Sequence, residues 1–224
     1  IILTENFTLA VDMLGSETKT NQILKGLNQS LLRNINYKFL LFGDYKNIQS
    51  YIGKYEQLYK RSEIFDCQNF VTMDDKPSEV LKSKKTSSMY LAIESVKNNC
   101  ADAVLSFGNT GALMSFAMLY IKTLNEIKRP SIASIWPNLK SESIVLDLGA
   151  NLKLDSRYLI DNAILGSSLA SILFKIENPS IGLLNVGKED IKGNDNIKNA
   201  SEKLKEFKSN SILNYHGYIE GNDI

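Results

Sequence analysis

Apolar positions along the chain switch between two spacings. Thr8-Leu9-Ala10-Val11, Tyr37 to Phe42 and Ala103 to Phe107 are nearly continuous apolar runs, as in strands buried on both faces. Asn21 to Leu32 instead carries apolar residues at 23, 24, 27, 31 and 32, the spacing of one helix face. The same reading predicts strands at Asp66 to Val71, Ile132 to Ile135, Ile144 to Asp147, Ile181 to Val186 and Ile212 to Tyr215. It predicts helices over Ile48 to Tyr59, Pro77 to Lys82, Ser87 to Lys97, Ala112 to Leu124, Arg157 to Phe174 and Ile197 to Phe207. Strands alternating with helices imply crossover connections, hence an α/β fold of three layers, α/β/α, around a mostly parallel sheet. No repeat or Pro- or Ser-rich linker interrupts the pattern, so residues 1–224 read as a single α/β domain.

Composition narrows the chemistry. The 224 residues are 43% apolar and 23% charged, enough for a full core. Lys+Arg is 26 and Asp+Glu is 25, which leaves no charge excess for binding a nucleic-acid backbone. Cys67 and Cys100 lack C-x-x-C spacing and His216 is the sole histidine, so neither a disulfide framework nor a zinc site is expected. No cofactor motif is intact. Reduced cytoplasm is the default compartment for such cysteine usage. The longest apolar run, Ala112 to Ile121, falls well short of the ~20 residues of a membrane span. The chain starts Ile1-Ile2-Leu3 without methionine and ends without a helix cap, the marks of a fragment.

In open parallel sheets, ligands bind beyond the carboxyl ends of the strands. The residues following each strand are Asp12 with Gly15, Gly43-Asp44, Gly108-Asn109-Thr110-Gly111, Gly149-Ala150-Asn151 and Gly187-Lys188-Glu189. Ser106 to Met114 reads as a strand end, a Gly-rich turn and a helix start. Free N–H groups there, with the Thr110 hydroxyl, suit a phosphate. The structural alternative is that Asn109 or Thr110 caps the helix and Gly111 permits close packing. Lys84-Lys85-Thr86-Ser87-Ser88 sets two cations before hydroxyls that suit either an anion or a helix cap. Gly182 to Lys188 nearly spells a P-loop, but Gly182 belongs to the strand and Glu189 stands where Ser or Thr should bind Mg²⁺. His216 reads as structural and Trp136-Pro137 as a packed turn after a strand. No G-x-S-x-G elbow or activated cysteine supplies a nucleophile. An enzyme of this composition would use substrate or water as nucleophile and contribute positioning and charge stabilisation.

Several motifs in order resemble the PlsX family of bacterial phosphate acyltransferases. They are Asp75-Lys76-Pro77-Ser78, Lys84 to Met89, Ala101-Asp102-Ala103 and Ser106 to Met114. Further along come Leu146 to Asn151, Gly182 to Gly187, Ile191-Lys192-Gly193-Asn194 and Glu220 to Ile224. The resemblance implies a fold akin to phosphate acetyltransferases and isopropylmalate dehydrogenases. It implies transfer of a fatty acyl group from acyl carrier protein to inorganic phosphate, giving acyl phosphate for phospholipid synthesis. It also implies a cytoplasmic homodimer, peripherally associated with the membrane, that hands product to a membrane glycerol-3-phosphate acyltransferase. Family members are about half again as long, with further helices beyond the last residue here. The chain departs from the family at Ser16 and Glu17, where Gly and Asp are usual, and at Leu152 to Ser156, where D-C-x-P is usual.

Carried onto these residues, the resemblance sets phosphate against Asn109, Thr110 and Gly111, with Ser87, Ser88, Lys85 and Gly187 as further binding groups and Asp12 as the best candidate of its loop. Lys84, Lys188, Lys192 and Asn151 are the expected catalytic residues. Lys188, Lys192 or the Gly187 backbone would stabilise an oxyanion, and Asn151 would orient phosphate or thioester. The helix Ala112 to Ile121 is a candidate wall for an acyl chain or, equally, a helix packed on the sheet. The rival readings are an acyl-CoA-dependent phosphate acetyl- or butyryltransferase and a non-catalytic module that binds acyl carrier protein.

Overall fold

The computed structural model describes residues 6–33, 36–138, 141–151, 154–189 and 192–223. The chain divides into two compact units, Ile1–Thr123 and Leu124–Ile224. The sequence offered no boundary at that point.

The first unit is built on four parallel strands in the order β3-β2-β1-β4. They are β1 (Phe7–Asp12), β2 (Tyr37–Gly43), β3 (Ser62–Asp66) and β4 (Ala103–Ser106). Strand pleating sends alternate side chains of β1 to opposite faces. Leu9 and Val11 join a core with Phe39, Leu41 and the buried face of α1 (Thr20–Arg33), namely Ile23, Leu24, Leu27 and Leu31. Ala10 packs on the other face with Phe42, Cys67 and Ala92, the last from α5 (Ser88–Lys97). A third cluster joins Val80 of α4 (Pro77–Ser83), Met89 and Ile93 of α5, and Ala112 and Phe116 of α6 (Thr110–Tyr120).

Two expectations shift here. The helix expected over Ile48 to Tyr59 is two helices, α2 (Tyr45–Ile52) and α3 (Glu56–Lys60), parted at Gly53, a poor helix former. The strand expected at Asp66 to Val71 lies earlier, at β3. Cys67 and Val71 are buried loop residues that join two different clusters.

In the second unit, β5 (Ala133–Pro137) and β6 (Glu142–Leu146) pair antiparallel. The residues between them are too few for a crossover helix, which a parallel pair requires. Trp136 and Pro137 lie inside β5, opposite Ser143 and Glu142, rather than in a turn after a strand. The long helix α7 (Ser156–Phe174) is followed by β7 (Ser180–Leu184), α8 (Asp195–Ser209) and β8 (Asn214–Ile219), with β7 and β8 parallel. The last strand lies later than Ile212 to Tyr215 because Ile212 is exposed, while Tyr215 and Tyr218 are both buried. A register shift at Ile181/Gly182 leaves His216 as the extra residue and lets both tyrosines face inward. No helix among the described residues is long and apolar enough to cross a membrane.

The two cysteines differ in reactivity. Burial, then the nearby charges of Asp66 and Asp12, pushes the Cys67 thiol up to about 11, whereas Cys100 is exposed. Thiolate is the reactive form. An aromatic disulfide reagent at pH 8 is expected to titrate Cys100 promptly and Cys67 only on unfolding. Two equivalents reacting at equal rates in the folded chain would contradict this burial.

Candidate functional site

In the first unit, the candidate residues gather beyond the carboxyl ends of β1 and β4. Asp12 closes β1 and is fully buried. Its carboxylate accepts hydrogen bonds from Ser88 Oγ at 2.6 Å, Ser106 Oγ at 2.8 Å and Leu14 N at 3.3 Å. Desolvation by burial raises its pKa, and these three donors offset the shift only in part. Asp12 therefore ties β1, β4 and the start of α5 together and presents no oxygen to solvent. Three residues on, Gly15 has φ +72°, and a Cβ there would stand 1.9 Å from the Val71 carbonyl oxygen, so only glycine fits. Ser16 and Glu17, the positions that depart from the family pattern, differ in use. Ser16 Oγ accepts from Thr18 N at 2.8 Å, and Glu17 is exposed.

The serines at the start of α5 bond within the protein. Ser87 is its N-cap, accepting from Tyr90 N at 3.3 Å and donating to the Lys84 carbonyl at 2.7 Å. Ser88 donates to Asp12. Both of these candidate phosphate ligands are buried. Lys84 is half-buried. Its ammonium donates to the Phe70 carbonyl at 3.2 Å and lies 3.7 Å from Asp75. Lys85 is exposed, with no partner among the described residues.

Asn109 is the keystone of the Gly-rich turn. Its Oδ1 accepts from Ala112 N at 3.0 Å and caps α6. Its Nδ2 lies 3.2, 3.1 and 2.9 Å from the carbonyl oxygens of Thr72, Met73 and Asp75. One buried amide thus fastens the helix start to the 72–75 turn, and Asp75 carries the link on to Lys84. The backbone bond from Thr72 N, with support from the Lys84 charge, holds the Asp75 carboxyl below its ordinary range. Gly111 packs under Pro77, where a Cβ would come to 3.0 Å. Both halves of the structural alternative are therefore met. What remains is Thr110, exposed at the first position of α6, whose hydroxyl and N–H have no partner among the described residues, and the N–H of Gly111.

In the second unit, Asn151 sits in a polar network that the sequence did not reveal. Asp147 Oδ1 accepts from Ile132 N at 3.0 Å and Ala150 N at 3.2 Å. Its Oδ2 accepts from Asn151 N at 2.9 Å, Asn151 Nδ2 at 3.0 Å and the Tyr158 hydroxyl at 2.8 Å. Burial alone would raise this carboxyl, but the donors outweigh it and hold it below its usual range. Burial also pushes the Tyr158 phenol up, and Asp147 adds to that shift. Ser131 links Tyr158 to Asn162. The Asn151 Nδ2 lies within hydrogen-bond distance of Pro130 O, Asp147 Oδ2 and the Tyr158 hydroxyl, and its Oδ1 has no donor among the described residues. The signal for Asp147 lay in Asp-Leu-Gly-Ala-Asn itself; Tyr158, Ser131 and Asn162 carry no local motif.

Lys188 is ion-paired to Asp223 at 2.7 Å, which keeps its ammonium protonated beyond the ordinary lysine range. Lys192 is exposed, and its ammonium has no partner among the described residues. A Cβ at Gly187 would meet Glu189 Oε2 at 2.6 Å and Lys192 Cγ at 3.0 Å. Among the described residues, no bond links Asn151 to Gly187, Lys188 or Lys192, and no group of three or more His, Cys, Asp or Glu is placed to hold a metal ion.

Comparison with known proteins identifies the family and the fold. A family pattern described as "Fatty acid synthesis protein" matches residues 7–224. The chain belongs to that family. A relative from Rhizobium rhizogenes named phosphate acyltransferase is 42% identical over 217 residues, covering 96% of this chain and 62% of the relative. One of the same name from Azorhizobium caulinodans is 44% identical over 96% of the chain and 61% of the relative. The chain thus spans about three fifths of the length of these family members. Solved structures share the fold at low identity. A Streptococcus pyogenes phosphotransacetylase matches at TM-score 0.71 and 16% identity, over 98% of this chain and 70% of that one. EutD phosphotransacetylase from Staphylococcus aureus matches at TM-score 0.66 and 17% identity, over 96% of this chain and 69% of that one. The expected α/β fold of the phosphate acetyltransferase kind is therefore the observed one.

Asn109→Asp separates capping from fastening. Aspartate is as good a cap as asparagine but sets a carboxylate against three carbonyls. Urea unfolding is expected to show Asn109→Asp losing about 2–3 kcal/mol, close to the loss in Asn109→Ala. A neutral Asn109→Asp would reduce the residue to a cap.

Asp12 has a raised folded pKa, so its charged form opposes folding. The penalty is absent below the unfolded value of ~3.9 and develops as pH rises through the folded value. The melting temperature of Asp12→Asn relative to the parent is therefore expected to climb between pH 3.5 and pH 7. A pH-independent difference would contradict the assignment.

Proposed function

We propose that this protein is a phosphate acyltransferase that moves a fatty acyl group from acyl carrier protein to inorganic phosphate. The observation that carries the reading is the 42% identity to a phosphate acyltransferase over 96% of the chain. In the reaction, a phosphate oxygen attacks the thioester carbonyl carbon. The new C–O bond forms, the C–S bond breaks, and the leaving thiolate takes up a proton. Phosphate is itself the nucleophile, so the protein's task is to hold it and to stabilise the carbonyl oxygen as it gains charge.

Phosphate is assigned to the start of α6, where the N–H groups of Thr110 and Gly111 and the Thr110 hydroxyl are unclaimed among the described residues. Lys85, and the part of Lys84 left exposed, supply counter-charge there. Lys192, whose ammonium has no partner among the described residues, is the proposed stabiliser of the oxyanion. Asp12, Ser87, Ser88 and Asn109 serve this chemistry by fixing the turns around the site, and Asn151 does so through its NH₂ group while its amide oxygen stays available to orient phosphate or thioester. An acyl chain needs apolar surface. The first unit has a cavity of about 310 Å³ lined mainly by apolar side chains, including Leu9, Ile23, Phe39, Leu105 and Phe107. Helix α6, the wall expected from sequence, also leaves Met118 and Leu119 exposed. The partners consistent with this reading are acyl carrier protein, a membrane glycerol-3-phosphate acyltransferase and a second copy of the protein. They imply a cytoplasmic enzyme that visits the membrane surface.

Hydroxylamine converts acyl phosphate to hydroxamate and so counts turnovers. With long-chain acyl carrier protein, hydroxamate is expected to depend on phosphate and to exceed that from acetyl-CoA. In Thr110→Val the phosphate KM is expected to rise about tenfold, and Lys84→Met should weaken phosphate use in the same direction. Phosphate kinetics unchanged in both variants would overturn the phosphate site. Binding of acyl carrier protein without any phosphate-dependent product would replace an enzyme with a binding module.

A further inference from the structure

A buried amide in the second unit remains unassigned. Asn185 directly follows β7, and its backbone N–H donates to the Ile219 carbonyl at 2.9 Å, at the end of β8. Its side chain is 8% exposed. Nδ2 lies 3.0 Å from the Gly187 carbonyl and 3.3 Å from the Lys192 carbonyl. A single NH₂ group, with two protons to give, joins two points of the main chain five residues apart. Its Oδ1 has no donor among the described residues.

The surroundings are shaped to this amide. Gly193 has φ +86°, and a Cβ there would stand 2.5 Å from Asn185 Oδ1. The backbone after Lys192 can press against the amide only as glycine. A buried acceptor with no donor is a liability, so the residue earns its place through its two donors. Lys188 is held separately, by Asp223, whose second oxygen accepts from Glu220 N at 2.8 Å. The Lys192 main chain is held by Asn185 and by its own N–H, which donates to the Glu189 carbonyl at 3.0 Å.

We infer that Asn185 is a positioning residue for Lys192: it fixes the main chain from which that lysine reaches out and never touches substrate itself. The inference rests on the proposed role of Lys192 as oxyanion stabiliser. Asparagine suits the task because neither a carboxylate nor an apolar side chain can donate to two carbonyls at once.

Two measurements on this chain test it. First, trypsin cleavage after Lys188 and Lys192 is followed at pH 8. Asn185→Asp is expected to raise the rate about tenfold, because an ionised carboxylate repels both carbonyls, and Asn185→Leu should do the same by losing both donors. Melting by circular dichroism checks that each variant is folded. Unchanged cleavage in the folded variants overturns the inference, whether or not the chain is active. Second, turnover is measured by hydroxamate in Asn185→Asp, Lys192→Met and the double variant. A residue acting through Lys192 lowers kcat about tenfold with phosphate KM nearly unchanged, and adds nothing once Lys192 is gone. Losses that multiply in the double variant would make Asn185 a residue of the fold alone. Absence of product from the parent chain would overturn the proposed function and leave the cleavage result to decide the positioning.

Discussion

The carboxyl edge of the first unit depends on one buried carboxylate. Asp12 ends β1, and its two oxygens receive Ser88 from the start of α5 and Ser106 from the end of β4. A parallel sheet holds its strands side by side but does not fix how each chain leaves its strand. Asp12 does so for two strands and a helix at once. The cost is a charge taken out of water, which is why its pKa is displaced upward despite three donors. The Gly15 turn can then pass within contact of Val71, and the segment after Val71 is delivered to Asn109.

The same device recurs with different chemistry. Asn109, Asp147 and Asn185 each stand at or just after the end of a strand, and each spends its side chain on backbone groups of the turns around it. The choice of side chain follows the polarity of what must be satisfied. Asp147 faces N–H groups and a phenol, so a carboxylate serves, and its donors hold it ionised. Asn185 faces two carbonyls, so an amide serves. Asn109 faces both kinds and uses both ends of its amide. A buried polar group without such partners would cost more than it contributes.

The order of elements was legible because it rests on apolar spacing, a property of neighbours in sequence. Strand boundaries were less so. Cys67 and Val71 are as buried as strand residues, yet they are loop plugs, and hydrophobicity does not distinguish the two. The alternation predicts a mostly parallel sheet but does not single out the β5–β6 pair, which is antiparallel. At the candidate site, the glycines and polar residues are visible in the sequence but the direction of their bonds is not. Sequence shows that Ser88 and Asn151 can donate; it does not show that Asp12 and Asp147 already accept. Tyr158, seven residues after Asn151 on a helix, meets it only through the folded path of the chain.

This distribution of partners separates two kinds of polar residue that look alike in sequence. Asp12, Ser87, Ser88 and Asn109 are buried and bonded within the protein, and Asn151 spends its NH₂ group there too while its amide oxygen has no donor among the described residues. Thr110, Lys85 and Lys192 are exposed, with side chains unclaimed among the described residues. A substrate that arrives with several charged oxygens needs unclaimed donors, and it needs them stationary, since donors that must first be ordered give back in entropy what they gain in contact. In each unit, the residues bonded within the protein hold the turns that carry the exposed ones. A motif of mixed Gly, Asn, Ser and Lys at the end of a strand is therefore two layers read as one. The inner layer is bonded within the protein, and the outer layer has side chains with no partner among the described residues.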